Sequence, residues 1–153
     1  MKELQTKIGV GHSINRNVNY LKVSKPNYLG AAKCLKDHGF RRLLTVGAVD
    51  WIEQGKFEVY FIVHKLRGNL YVKVATEIPR DNPVIPSLSE LWPNAAVHER
   101  ETWELFGIFF EGNKFLKPLF LEDHFEIPPF RKDFDWREYV RKAYSEKEVM
   151  RYD

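Results

Sequence analysis

Phe57-Glu58-Val59-Tyr60-Phe61-Ile62-Val63-His64, then Lys65-Leu66-Arg67-Gly68-Asn69, then Leu70-Tyr71-Val72-Lys73-Val74-Ala75-Thr76 is the stretch that decides the fold class. Phe57, Val59, Phe61 and Val63 fall on one face at a period of two, and Leu70, Val72 and Val74 do the same in the second run. Gly68-Asn69 between them is a turn signal, so the runs are expected as the two strands of a hairpin. Outward from it, Arg41 to Val49 reads as another strand, and Asn17 to Val23 as a short first one. Between those two, Tyr28, Ala31, Ala32 and Leu35 form an apolar stripe at helical spacing. Pro26 sits where a helix starts and Gly39 where one stops. The order strand–helix–strand–strand–strand is an α+β pattern: a mixed sheet of about four strands with helices packed on it, and an extended C-terminal arm.

Past the hairpin the texture changes. Pro79, Pro83, Pro86 and Pro93 are too closely spaced for ordinary strands or one long helix. Ser87-Leu88-Ser89-Glu90 has capping-box spacing, which predicts a short helix that Pro93 ends. A charged helix over roughly residues 94–107 follows, with Gly107 as its stop. Ala95, Ala96, Trp103 and Phe106 share one side of it; Glu99 falls inside that stripe and Arg100 borders it. A carboxylate on a buried face is costly unless a cation or several N–H donors meet it. Its charges therefore pair inside the fold, as Arg100 with Glu104 at i, i+4 would, or a partner supplies the counter-ions. If Arg100 compensates buried carboxylates, Arg100→Ala should cost about 3–5 kcal/mol. After Gly112 periodicity is lost: Phe115, Phe120, Phe125 and Phe130 recur every five residues, a spacing that fits neither element. The last 51 residues hold 13 of the 22 aromatics, so this segment is expected to wrap over a surface. Only Trp136 to Met150 reads as helical again. The expected division is a core over residues 1–112 and an aromatic arm over 113–153 with a short terminal helix.

At 153 residues, 44% hydrophobic and 29% charged, the chain fits one globular domain. No stretch has membrane-spanning length, and the first residues read as no signal peptide, so a cytoplasmic location is expected. The single cysteine, Cys34, excludes an internal disulfide and any self-contained iron–sulfur or cysteine-rich zinc site. Abundant Lys and Glu with two Gln lean towards a thermophile. The net charge of +3 is unevenly spread. Residues 1–76 hold 13 basic and 5 acidic groups, residues 77–130 hold 4 and 10, and the rest 7 and 6. Such an acidic middle argues against a purely nucleic-acid-binding protein.

Candidate chemical sites fare poorly. Gly9-Val10-Gly11 lacks the third glycine of a phosphate loop and reads as a flexible N-terminal segment. The five histidines show no paired metal spacing, and the densest ligand cluster, Glu122-Asp123-His124-Phe125-Glu126, reads as a solvated loop. Cys34 reads as a buried structural thiol with no adjacent base. Two alternatives stay open. A basic-face nucleic-acid module would use the first half, although Gly55 to Phe61 does not match the RNA-recognition strand pattern and Glu58 faces phosphate poorly. A small enzyme would use Glu99, Glu101 and Glu104 as general acids and bases, without any nucleophile motif beside them.

Pro86-Ser87-Leu88, Leu91-Trp92-Pro93-Asn94-Ala95-Ala96, Glu99-Arg100-Glu101-x-x-Glu104-Leu105-Phe106-Gly107-Ile108, Gly112, and Pro129-Phe130-Arg131-Lys132-Asp133-Phe134 occur in this order. Together they resemble the 30 kDa subunit family of respiratory complex I, the NADH-quinone oxidoreductase, over roughly residues 17–135; Val49-Asp50 also sits where that family places it. The departures are Val97 for a tryptophan, Glu104 for an aspartate, Gly112-Asn113-Lys114 for Gly-His-Pro, and Pro118 for a basic residue. They are similar to the version in archaeal membrane-bound nickel–iron hydrogenases and related ferredoxin-using complexes.

The resemblance implies a non-catalytic subunit of a membrane-associated oxidoreductase, docked on a hydrogenase-like large subunit and near a small cluster-binding subunit. It implies no cofactor on this chain, with iron–sulfur clusters and a nickel–iron centre left to partners. It implies no nucleic acid, a cytoplasmic peripheral location, and membrane contact only through the complex. By motif match, Glu99, Arg100, Glu101, Glu104, Phe106 and Gly107 would form the docking helix, and Arg131, Lys132, Asp133 and Phe134 would begin a tail along partner subunits.

Overall fold

The computed structural model describes residues 11–15, 18–121 and 127–143. Its centre is the expected hairpin: β4 (Lys56–Lys65) pairs antiparallel with β5 (Leu70–Pro79) over their whole length. The turn closes on Gly68 at φ +92° and Asn69 at φ +46°, left-handed values that only glycine and asparagine-type residues take cheaply. Phe57, Val59, Phe61 and Val63 on β4 and Val72, Val74 and Ile78 on β5 are buried together on one face. Burial of each such side chain contributes about 1.5–3 kcal/mol.

Strand β3 (Arg42–Trp51) adds antiparallel to β4, with a bulge between Leu43 and Thr45. Strand β2 (Val18–Lys22) adds parallel to β5, and β1 (Gly11–Asn15) adds antiparallel to β2. The sheet order is β1-β2-β5-β4-β3, mixed as expected and one strand wider than the four read from the sequence. That strand corrects the reading of Gly9-Val10-Gly11 as a flexible N-terminal segment at Gly11, which opens β1 and its full-length pairing with β2; residues 1–10 lie outside the described ones. Pairing supplied what composition hid, since Gly-His-Ser-Ile-Asn carries little apolar signal of its own.

Helix α1 (Tyr28–Asp37) enters through a 3-10 turn at Lys25–Asn27 carrying Pro26, and leaves at Gly39, φ +87°. It connects β2 to β3, and its stripe of Tyr28, Ala31, Ala32 and Leu35 is buried in the core cluster that the hairpin builds. Helix α2 (Ala95–Phe106) follows. It is fixed to β3 and the turn before it by Trp92 Nε1 donating to Phe40 O at 3.2 Å and Asn94 Nδ2 donating to Leu43 O at 3.0 Å.

The capping-box helix expected at Ser87 is a single turn instead. Leu91 and Trp92 N–H both bond Leu88 O, and Pro93 stops propagation. The Ser87 hydroxyl accepts from Ser89 N–H at 3.1 Å within this turn and donates to the Glu99 carboxylate. On either side of α2, short β6 (Val84–Pro86) and β7 (Phe109–Glu111) pair in parallel as a second, two-stranded sheet. Thus α2 is a crossover helix, the connection that a parallel pair requires. The expected terminal helix is described as α3 (Trp136–Ala143); its continuation towards Met150 lies outside the described residues. Among the described residues no helix is long and apolar enough to cross a membrane.

Candidate functional site

The charged helix is the place to ask what the fold does with unusual charges. Ala95, Glu99 and Thr102 form its buried line, with Trp103 and Phe106 packed against the core cluster. Glu99 has 0% exposure. Its carboxylate accepts from Ser87 Oγ at 2.6 Å, Leu88 N–H at 2.6 Å and Asn113 Nδ2 at 2.9 Å. Among the described residues no cation pairs with it. Burial pushes the Glu99 carboxyl above its ordinary range, and the three donors pull against that shift. Asn113 also donates to Ala96 O at 3.2 Å and accepts from Phe115 N–H at 2.9 Å, so one buried amide joins α2 to the start of the arm. Tyr28 lies within electrostatic reach: burial, then the Glu99 charge, push its hydroxyl well above the ordinary value. That hydroxyl has no hydrogen-bond partner among the described residues.

Arg100 and Glu104 do not form the i, i+4 pair that their spacing offers. Arg100 Nε donates to Lys117 O at 2.6 Å and its Nη2 donates to Pro118 O. Glu104 accepts from Leu119 N–H at 2.8 Å, Phe120 N–H at 3.0 Å and Leu121 N–H at 3.0 Å. Five consecutive residues, 117–121, are therefore each held to α2 by a backbone group. A cation takes the carbonyls and an anion the N–H groups, as hydrogen-bond polarity demands. Two rings beside this clamp stay in solvent, Phe115 at 64% and Phe120 at 65% exposure, while Leu116, Leu119 and Leu121 are half-buried. Val97 on α2 is exposed as well. Glu101 is half-buried and has no ion pair among the described residues.

A second junction lies at the end of the helix. Gly107 caps α2 at φ +72°, donating to Trp103 O at 2.8 Å. A Cβ there would also sit 2.9 Å from an Arg131 amino nitrogen and from Pro128 Cγ, so glycine is required twice. The returning chain docks on that point. Phe130 N–H donates to Leu105 O at 3.0 Å, Arg131 Nε donates to Phe106 O at 2.7 Å, and the Phe106 and Phe130 rings meet edge-on at 5.7 Å.

Beneath it, buried Asp50 on β3 accepts Arg80 Nε at 2.9 Å, Arg80 Nη2 at 3.1 Å and Lys132 N–H at 2.9 Å. Arg80 Nη2 reaches on to Asp133 at 2.5 Å. Hydrogen bonds to Asp50 and then Asp133 raise the Arg80 pKa; the bond from Arg80 lowers that of Asp133. The Arg80 and Arg131 guanidinium carbons lie 5.7 and 5.2 Å from the centroid of the Phe57 ring. Phe134 packs on Trp136 at 4.8 Å between centroids.

Eight of the ten motif residues thus meet at two separate junctions on one chain; Glu101 forms no ion pair among the described residues, and Phe134 packs on Trp136. Sequence reasoning missed the residues that complete them. Asn113 was visible only as a departure from Gly-His-Pro, and Arg80 only as one of few bases in an acidic segment. Cys34 is half-buried, with its Sγ 3.7 Å from His38 Nδ1. Glu58 pairs with Lys73 at 3.7 Å. The acidic run 122–126 lies outside the described residues. Among the described residues no group of three or more His, Cys, Asp or Glu is arranged to hold a metal ion.

This framework is one that known proteins share. The family described as respiratory-chain NADH dehydrogenase, 30 kDa subunit, matches residues 21–140, which includes both junctions. The chain belongs to this 30 kDa subunit family. An NADH-quinone oxidoreductase subunit of this type from Erythrobacter litoralis is 38% identical over 113 residues, 73% of this chain and 45% of that one. Its counterpart from Moorella thermoacetica is 38% identical over 96 residues, 63% of this chain and 65% of that one. The chain spans about half the length of the curated 30 kDa relatives it matches. Among solved structures, a chain of the membrane-bound sulfane sulfur reductase, an archaeal respiratory membrane complex, superposes with a TM-score of 0.86 at 28% identity, covering 99% of this chain and 92% of that chain. The trypsin-resistant fragment of Nqo5 shares the fold, with a TM-score of 0.66 at 24% identity over 77% of this chain and 95% of that chain.

Proposed function

We propose that this chain is a non-catalytic subunit of a membrane-associated oxidoreductase complex, peripheral on the cytoplasmic face of the membrane. In this reading it docks on a hydrogenase-like large subunit beside a small cluster-binding subunit. Iron–sulfur clusters and any nickel–iron centre belong to those neighbours, and this chain contributes shape and register. Membership of the 30 kDa family and the close superposition on a chain of a respiratory membrane complex support it.

One observation in the molecule carries the docking reading. The α2 clamp bonds one backbone group of each residue from 117 to 121 while leaving Phe115 and Phe120 about two-thirds exposed. A rigid loop that displays aromatic rings loses little entropy on association, and buried aromatics dominate interface energies. An unpartnered chain gains nothing from such a display and risks self-association.

The test is purification of the tagged chain from membranes of its native host. A hydrogenase-like large subunit and a cluster-binding subunit are expected to co-elute, and the isolated chain is expected to carry no iron, nickel or flavin. Phe115→Ser with Phe120→Ser should reduce recovery of the large subunit at least tenfold. Elution of the wild-type chain alone would refute the assembly reading. Undiminished recovery with the double variant would refute the role of the loop.

A further inference from the structure

Three arginines secure the C-terminal segment, and Arg131 makes the fewest hydrogen bonds of the three. Arg80 bonds two carboxylates, and Arg100 bonds two carbonyls. Arg131 donates through Nε alone, to Phe106 O, and neither of its Nη amino groups has an acceptor among the described residues. It takes part in none of the ion pairs there either. Its guanidinium is nonetheless half-buried and fixed, resting against Gly107 and the Phe57 ring. Burial and then the neighbouring Arg80 charge act against its protonated form, outweighing the favourable charges of Asp133 and Asp50. A half-buried fork with free donors is half of a bidentate carboxylate site.

We infer that Arg131 receives one carboxylate side chain, Asp or Glu, from a partner subunit. The inference rests on the assembly reading above and names the chemistry of the contact. The setting favours a protein carboxylate. Phe130 adjoins the fork and is 56% exposed, and Phe109, two residues past Gly107, is 49% exposed. A protein segment covers such rings as it delivers its acid; a free phosphate leaves them wet.

The experiment uses the assembled complex and two variants. Arg131→Lys puts an amine at the fork, and a water-soluble carbodiimide couples an amine to a touching carboxylate, taking up the water released as its urea. The expected product is a peptide joining position 131 to an Asp or Glu of another subunit, absent from the wild-type complex, whose arginine does not react. Arg131→Gln should lower recovery of the complex at least tenfold while the melting temperature of the isolated chain moves by less than about 4 °C.

Coupling only to Asp50 or Asp133 of the same chain, or undiminished recovery of the Arg131→Gln complex, overturns the inference while the assembly reading stands. If wild-type chain recovers no partner, both fall. Inorganic phosphate titrated into the isolated chain is the last arm. Amide shifts near Arg131 in the wild type but not in Arg131→Gln, without an inter-subunit link, would assign the fork to a free anion and also overturn it.

Discussion

The two junctions that hold the C-terminal segment to the core solve one problem with different chemistry. At residues 113–121 the charged groups of α2 bond neutral partners: Glu99 meets a hydroxyl, an amide and a backbone N–H, Arg100 two carbonyls, Glu104 three N–H groups. At residues 129–133 charge meets charge, through Asp50, Arg80 and Asp133. A carboxylate–backbone clamp fixes the path of a chain without specifying its side chains. An ion-pair junction ties three remote segments to one point and is intolerant of losing any member. The first suits a loop that displays its side chains, and the second suits a hinge point under them.

Removing the hub of the ion-pair junction should break the comparison most visibly. The Asp50 and Arg80 side chains are 1% and 16% exposed, so Asp50→Ala leaves a largely buried guanidinium and an orphaned Lys132 N–H. A loss of about 3–5 kcal/mol in urea-induced unfolding is expected, as for breaking a buried pair from one side. A loss below about 1 kcal/mol would mean that Asp133 alone suffices for Arg80, and that the two junctions do not differ in kind.

The clamp should be weaker and more local. Glu104→Ala frees three N–H groups that lie at the surface, where water replaces the carboxylate. It should cost about 1–2 kcal/mol, with amide exchange accelerating at Leu119, Phe120 and Leu121 but not in β4. Arg100→Ala should cost about 1 kcal/mol, well short of the roughly 3–5 kcal/mol expected for compensation of buried carboxylates, because Arg100 bonds carbonyls rather than a carboxylate. A larger loss for Arg100→Ala than for Asp50→Ala would invert the comparison.

What the sequence made legible follows from the range of the forces involved. The β4–β5 hairpin, α1 and α2 announce themselves because period and turn chemistry are local. The burial of Glu99 was legible too, since helical spacing alone puts it in the stripe. Its partners were not: Ser87 and Asn113 are separated from it by 12 and 14 residues, and nothing in a local pattern selects them. The Arg100–Glu104 spacing pointed the wrong way, because on an exposed helix face that pair yields only a few tenths of a kcal/mol. Several backbone groups of a crossing loop compete easily with it. Strand β1 and the parallel β6–β7 pair were illegible for a related reason, since each exists through its neighbour.

Glu99 offers the finest test, because the sign of its effect differs from that of the other shifted acids. Its folded pKa lies above the ordinary 4.5, so between 4.5 and that raised value the folded chain holds the proton that the unfolded chain has lost. Stability from this group is therefore full below about 4.5 and falls as pH rises through the folded pKa. Glu77, lowered by Lys22 and Lys56, and Asp133, lowered by Arg80, act oppositely: their contribution is present above their unfolded values and is lost as pH falls. Glu99→Gln removes only the first slope, at the cost of one mismatched donor. The variant is expected to lie within about 1 kcal/mol of wild type and to gain on it as pH rises from about 4.5 to about 7 in parallel urea titrations. A variant that loses ground over that interval would show the three donors overcoming burial, with the charged form of Glu99 favoured by folding. The clamp region would then be electrostatically stabilised like the junction at Asp50, and the contrast between them would rest on partners alone.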